Sequence, residues 1–167
     1  LDFALITPNP SFSLTPYLNN LTDELRAFGY EFEIKDRSQA NKTVKKAFLK
    51  DDSIGAIFLL KRPNNPRKLT IKLEVESNQP LGAQTEIKYV DFTATFGVRI
   101  KDLQSSFSGK LHALLCRNYI KGRDWYDFIW YVSQQTAVNF PLLENALQQN
   151  GPWAGQNLKI NADWVFE

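Results

Sequence analysis

The sequence predicts an α+β fold, with strands and one helix in residues 1–101 and a helical bundle in residues 102–167. Two periodicities carry this prediction. Apolar residues alternate with polar ones before Lys101, which is the period of a strand, and from Leu103 onward they recur every three or four residues, which is the period of a helix. A length of 167 residues with 43% apolar residues is enough to bury a core.

The composition excludes several kinds of site. The net charge of +2 is far from the excess of a histone-like nucleic-acid binder. A single cysteine, Cys116, and a single histidine, His112, cannot form a disulfide or a Cys/His zinc site, and they leave almost no groups for acyl transfer. Carboxylates and lysines must therefore carry any catalysis. No apolar run approaches the roughly 20 residues of a membrane span, so we expect a cytoplasmic protein without a membrane segment.

The first elements are bounded by prolines and glycines. Alternation over residues 1–7 predicts a strand that Pro8 ends. A helix follows, with Thr15 as its N-cap, Pro16 in its first position and Gly29 at its end. Alternating residues over 30–34 and a weaker repeat over 42–49 predict a hairpin.

The clearest strand of the sequence is Leu69–Val75, in which apolar and polar residues alternate without exception. Its polar face carries Lys72, Glu74 and Glu76. Before it, the apolar run over 54–60 is compatible with either a helix or a strand. After it, residues 86–100 predict one or two strands with a break near Gly97.

Three apolar stripes with helical spacing predict the C-terminal bundle. They begin at Leu103, Trp125 and Leu142. We expect Trp130, Trp153 and Trp164 to be core or packing residues rather than platforms on which bases stack, because they lie among apolar positions.

Two carboxylates on strands are candidate metal ligands. Asp2 lies on the first strand and Glu74 on the polar face of the clearest one. Mg²⁺ requires oxygen ligands and often takes one or two carboxylates together with substrate phosphates. The alternative interpretation is a solvated strand face on which Lys72, Glu74 and Glu76 simply alternate in charge.

Lys110 is unusual because a helical wheel places it on the apolar stripe, between Phe107 and Leu114. Either it faces a cleft and binds phosphate oxygens, or its stem packs on the apolar residues while its ammonium pairs with a neighbouring acid. His112 falls on the opposite, polar side of the same wheel, so we expect it at the surface.

A dense charge cluster, Lys121-Gly-Arg-Asp-Trp-Tyr-Asp127, opens the next helix. Capping accounts for it if Asp124 is the N-cap and Asp127 a further acid near the positive end of the helix dipole. Asp124 also falls on the stripe of Phe128, so it could instead face the same cleft as Lys110.

Together these segments resemble the AbiEii/AbiGii-type nucleotidyltransferases, which are toxins of bacterial toxin–antitoxin and phage-abortive systems. The resemblance lies in Ser105–Arg117, which contains Gly-Lys110, and in the Arg-Asp-x-x-Asp block of residues 121–130. Ile71–Val75 is similar to the strand that carries the family's third acid, and Leu1-Asp-Phe3 to the end of its Asp-x-Asp motif.

The resemblance implies a nucleotidyltransferase-like mixed sheet and Mg²⁺-dependent transfer of a nucleotide from an NTP to an acceptor, which is tRNA in some members. An antitoxin is a further implied partner. Asp2 matches the second metal carboxylate and Glu74 the third. Lys110 matches the lysine that faces the triphosphate, and Asp124 matches the acid of the Arg-Asp block, flanked by Arg123 and Asp127. Lys110, Asp124 and Glu74 are then expected to line one cleft.

The family's glycine element and first aspartate would precede Leu1, and the sequence contains no methionine. We therefore expect an upstream segment, and we expect residues 1–167 alone to lack transfer activity. Two alternatives stay open: a catalytically inactive module that binds a nucleotide or an antitoxin, and an interaction domain with neither nucleotide nor metal binding. Thermal shifts with nucleotide and Mg²⁺ separate these classes.

Overall fold

The computed structural model describes residues 1–51, 69–92, 94–119 and 121–164, without the side chains of Leu69 and Phe92. It divides into two compact units, Leu1–Gln79 and Pro80–Glu167. The apolar run over 54–60, for which helix and strand were both open, lies outside the described residues.

The described residues of the first unit contain a four-stranded mixed sheet. Its strands are β1 (Asp2–Ala4), β2 (Glu33–Asp36), β3 (Val44–Asp51) and β4 (Leu69–Glu76). They lie in the order β1-β4-β3-β2, with β1 parallel to β4 and both other pairs antiparallel. The predicted hairpin (β2–β3) and the predicted strand β4 are confirmed.

One face of this sheet is buried under helix α1 (Thr15–Ala27). Leu14 and Leu18 pack there against Ala47 and Val75, all at most 7% exposed. The residues between the buried ones point to the other face of the sheet, which we call the charged face. They include Lys46 and Lys50 on β3 and Lys72 and Glu74 on β4. The helix begins one residue earlier than predicted: Leu14 is the N-cap, Thr15 is the first helical residue, and the Thr15 hydroxyl donates to Oδ2 of Asp36 at 3.3 Å.

The second unit begins with an antiparallel hairpin of β5 (Thr85–Phe92) and β6 (Ala94–Lys101). The expected break near Gly97 is wrong, because Gly97 lies inside β6 opposite Tyr89. A Cβ at this position would lie 3.3 Å from Cγ2 of Ile87 and 3.6 Å from Cε1 of Tyr89. Glycine therefore accommodates two large cross-strand side chains rather than ending a strand.

Three helices follow in the described residues: α2 (Leu103–Cys116), α3 (Gly122–Ser133) and α4 (Phe140–Gln149). Leu143, Leu147 and Ile160 form the core of the unit. Trp153 and Trp164 pack against it with ring centroids 5.7 Å apart, as predicted. Trp130 lies outside this core and is 43% exposed, and its ring packs on that of Tyr131 with the centroids 5.0 Å apart.

The compact units divide before Pro80, earlier than the change of periodicity at Lys101 on which the expected boundary was based. Hydrogen bonds across the hairpin base account for the difference. The Gln84 N–H donates to Oγ of Ser105, and the Asp102 N–H donates to the Gln84 carbonyl. These bonds attach the hairpin to α2. No helix in the described ranges is both long and apolar enough to cross a membrane.

Candidate active site

The two predicted metal ligands lie side by side. Asp2 on β1 is the register partner of Glu74 on β4, in a parallel pair. Register partners project from the same face of a sheet, and neighbouring strands are about 4.8 Å apart. The strand pairing thus places two carboxylates from distant parts of the sequence next to each other on the charged face.

Two lysines contact the Glu74 carboxylate. Nζ of Lys72 lies 2.6 Å from Oε2, and Nζ of Lys46 lies 3.2 Å from Oε1. The hydrogen bond from Lys72 lowers the pKa of Glu74, and Lys46 acts in the same direction. Glu74 is therefore a carboxylate at neutral pH. The ion pair with Lys72 is what the solvated-face interpretation expects, and the position beside Asp2 is what the metal interpretation expects.

The donor set fits a magnesium ion that shares its ligands with a substrate. Both side chains offer the carboxylate oxygens that Mg²⁺ prefers, and this ion commonly takes only one or two carboxylates plus phosphates and water. Within the described ranges, no three His, Cys, Asp or Glu side chains come together as a metal cluster. Asp2 and Glu74 would then hold the ion with the phosphates of a nucleotide.

The other predicted site residues lie in the second unit, where α2 meets α3. Nζ of Lys110 lies 2.6 Å from Oδ2 of Asp127, and these side chains are 38% and 33% exposed. Beside them, the buried ring of Phe107 stacks on Tyr131 at 5.0 Å. Lys110 is therefore half-buried at the rim of an aromatic cluster and paired with an acid, as the second interpretation of its position expects.

Asp124 is buried, with 1% of its surface exposed. Its Oδ2 accepts hydrogen bonds from Nη1 of Arg117 at 2.8 Å and from the Lys121 N–H at 3.2 Å. Burial would raise the pKa of Asp124, but the bonds from Lys121 and Arg117 outweigh it, and Lys110 contributes to the net lowering. Asp124 is thus an ionised, buried acid that joins the end of α2 to the start of α3.

The expectation that Asp124 is the N-cap is wrong. Lys121 occupies that position, and Asp124 is the third helical residue, from which its carboxylate reaches back to the N-cap N–H. Arg117 was not singled out from the sequence, although a cation seven residues before Asp124 is the signal that could have found it. Arg123 lies exposed on α3, beside Asp124.

His112 is not simply a surface residue. It is half-buried, and its Nε2 lies 3.2 Å from the Asn150 carbonyl oxygen. The helical wheel correctly placed His112 outside the main apolar stripe of α2. It could not show that the segment after α4 packs against that side of the helix.

A mixed sheet with paired carboxylates, followed by helices with a Lys and Arg-Asp cluster, is compatible with a nucleotide-transferring enzyme. The chain matches a family model described as Nucleotidyl transferase AbiEii toxin, Type IV TA system, over residues 1–166. The chain therefore belongs to the AbiEii family of nucleotidyl transferase toxins, as its resemblance predicted. No curated protein and no solved structure matches the chain.

Proposed function

We propose that the protein transfers a nucleotide from an NTP to an acceptor hydroxyl in a Mg²⁺-dependent reaction. The hydroxyl oxygen attacks the α-phosphorus in line, the bond from that phosphorus to the bridging oxygen breaks, and pyrophosphate leaves. Membership of the AbiEii family supports the reaction class. The observation that carries the proposal for this chain is the register pairing of Asp2 with Glu74.

In this proposal Asp2 and Glu74 hold Mg²⁺. The ion, when bound, supplies positive charge for the phosphates and lowers the pKa of the attacking hydroxyl. Glu74 is suited to this role because Lys72 and Lys46 keep it ionised. The same two ammonium groups offer positive charge next to the phosphates.

Lys110 is the proposed cation for the triphosphate. Its ammonium pairs with Asp127 at 2.6 Å on a partly exposed surface, so it can exchange this carboxylate for a phosphate oxygen. Asp124 is the proposed positioning acid. Its buried bonds to Arg117 and Lys121 fix the start of α3, and with it Arg123 and Asp127.

We further propose an RNA acceptor, with tRNA as the first candidate from the family resemblance, and an antitoxin as the protein partner implied by a type IV toxin–antitoxin family. The cytoplasm is the compartment that supplies both NTP and tRNA.

A second candidate is nucleotide binding without turnover. Glu74 already has two lysine partners, so its charge is balanced without a metal. In the part of the chain that the structure describes, no third acid joins Asp2 and Glu74. A protein of this kind would bind NTP and release no pyrophosphate.

A transfer assay separates the two candidates. The full gene product is incubated with each α-³²P-labelled NTP and a tRNA pool, with Mg²⁺ or with EDTA. We expect Mg²⁺-dependent label in the RNA that Asp2→Asn and Glu74→Gln abolish. Glu86→Gln is the matched control, because Glu86 is also a strand acid paired with a lysine, Lys88, at 3.4 Å. Nucleotide-induced stabilisation without labelled RNA would favour the binding module.

A further inference from the structure

The charged face carries a continuous basic surface at its β2–β3 end. Two open depressions lie there and share Arg37. Five cations are among the described residues that line them, and no acid is. We call this set, with the aromatic residue among them, the basic surface: Lys35, Arg37, Lys42, Lys46, Phe48 and Lys50. Since acids and bases are nearly balanced in the whole chain, 18 against 20, this local excess is a specific feature.

Cations predominate on the β2 and β3 part of the charged face, although Glu33 on β2 lies among them as the register partner of Lys50 and the ion-pair partner of Lys35. Lys46 on β3 is the register partner of Glu74, which is in turn the register partner of Asp2. Neighbouring strands are about 4.8 Å apart, so the basic surface begins one strand away from Glu74 and about 10 Å from Asp2. A polyanion bound at Lys46 would therefore lie one strand away from Glu74.

Much of this positive charge is available to a ligand. Lys46 pairs with Glu74, and Lys35 pairs with Glu33 at 2.7 Å. No ion pair is found for the side chains of Arg37, Lys42 or Lys50 among the described residues. These three cations gain more from an external anion than Lys35 and Lys46 would, because no ion pair within the described residues has to break first.

The arrangement suits an extended chain better than a compact phosphate group. Lys46 and Lys50 lie on the same strand, so their Cα atoms are about 14 Å apart at a rise of about 3.4 Å per residue. Phe48 lies between them on the same face, and its half-buried side chain lines the second depression. Alternating cations and an aromatic ring are the features with which proteins bind single-stranded nucleic acid, through phosphates and stacked bases.

We propose that the basic surface binds a single-stranded segment of RNA and directs its acceptor hydroxyl towards Asp2 and Glu74. The phosphates contact Arg37, Lys42 and Lys50, and a base stacks on Phe48. The role of this RNA as acceptor rests on the proposed nucleotidyl transfer, whereas its binding is a property of the surface itself and is tested separately.

The binding test uses a fluorescein-labelled 12-nucleotide RNA and fluorescence anisotropy at several NaCl concentrations. The variant Arg37→Gln/Lys50→Gln removes two phosphate contacts. It should bind about tenfold more weakly at low salt, and its salt slope should be shallower by about 1.4, since each contact with a single strand contributes about 0.7. Phe48→Leu should weaken binding without changing the slope, because it removes stacking but no charge.

The matched control is Arg26→Gln/Lys159→Gln, which makes the same charge change at two cations that are not members of the basic surface. Arg26 is exposed on α1, which packs on the other face of the sheet, and Lys159 is exposed in the second unit. The control should keep wild-type affinity and slope. Equal weakening in both double variants would overturn the proposal, because it would show a diffuse charge effect. Absence of RNA binding by the wild-type protein would also overturn it.

Transfer kinetics separate this proposal from the proposed function. Arg37→Gln/Lys50→Gln should raise KM for RNA and leave kcat unchanged, because it removes uniform binding only. If Glu74→Gln abolishes transfer but the double variant keeps wild-type RNA affinity and KM, the docking surface is wrong and the reaction stands. If the double variant loses RNA binding but Glu74→Gln transfers normally, the site is wrong and the docking surface stands.

Discussion

Glu74→Gln tests whether the acid on β4 exists for chemistry or for folding. The substitution keeps the size of the side chain and removes the charge that meets Lys72 at 2.6 Å and Lys46 at 3.2 Å. Ion pairs between partly exposed side chains contribute about 0.2–1 kcal/mol each, and the glutamine oxygen still accepts one hydrogen bond. We expect a loss of about 1 kcal/mol or less in the free energy of unfolding, hence about 2–4 °C in Tm for a chain of this length.

The effect on transfer should be far larger. Residues that merely orient a metal ligand are worth about 10- to 100-fold in metal affinity or activity, so removal of a ligand should cost at least about 100-fold in kcat/KM. Differential scanning fluorimetry measures Tm, and release of labelled pyrophosphate measures the rate. A variant that melts much lower but transfers at the wild-type rate would refute the metal role of Glu74.

The pH dependence supplies an internal check on the same variant. Because the folded-state pKa of Glu74 lies below its ordinary value of 4.5, its ionised form stabilises the fold above that value. The stability difference between wild type and Glu74→Gln should be constant near neutral pH and should shrink as the pH falls below about 4.5. A stability difference that grows as the pH falls would contradict the lowered pKa of Glu74.

Three further substitutions test other parts of the account. Lys110→Met should abolish transfer with little change in Tm, since its pair with Asp127 is partly exposed; retained activity would end its proposed role. Gly151→Ala should lower the free energy of unfolding by about 1–3 kcal/mol in urea denaturation, because its φ is +109° and a Cβ would collide with Sγ of Cys116; unchanged stability would contradict that packing. Asp124→Asn should have a lower free energy of unfolding than wild type at pH 7. This stability difference should shrink as the pH falls below 3.8, because the folded-state pKa of Asp124 is lowered from that value. A stability difference that persists in acid would contradict the lowered pKa.

Periodicity predicted the elements well where one face is buried. In β4 the apolar residues lie on the face under α1 and the charged residues on the other, so alternation reports burial directly. The break near Gly97 was wrong because glycine has two uses, a turn and a close approach, and only the cross-strand partner Tyr89 decides between them.

The sequence identified the candidate site residues one by one, but it did not show which of them lie next to each other. Asp2 and Glu74 were each identified as strand acids, and only the β1–β4 register could show that they are neighbours. Pairing of distant strands depends on the whole sheet, which local patterns do not describe. The bond between Arg117 and Asp124 likewise depends on the angle at which α3 leaves α2.

The most direct test of the central claim, nucleotidyl transfer, is the mass of the acceptor. The wild-type full gene product is incubated with tRNA, one NTP at a time and Mg²⁺, and intact RNA is measured by mass spectrometry while released pyrophosphate is quantified in the same reaction. We expect a mass increase of one or more nucleoside monophosphates, equal in amount to the pyrophosphate released, and neither product with Asp2→Asn. Hydrolysis of NTP without any increase in RNA mass, or an equal increase with Asp2→Asn, would contradict the account.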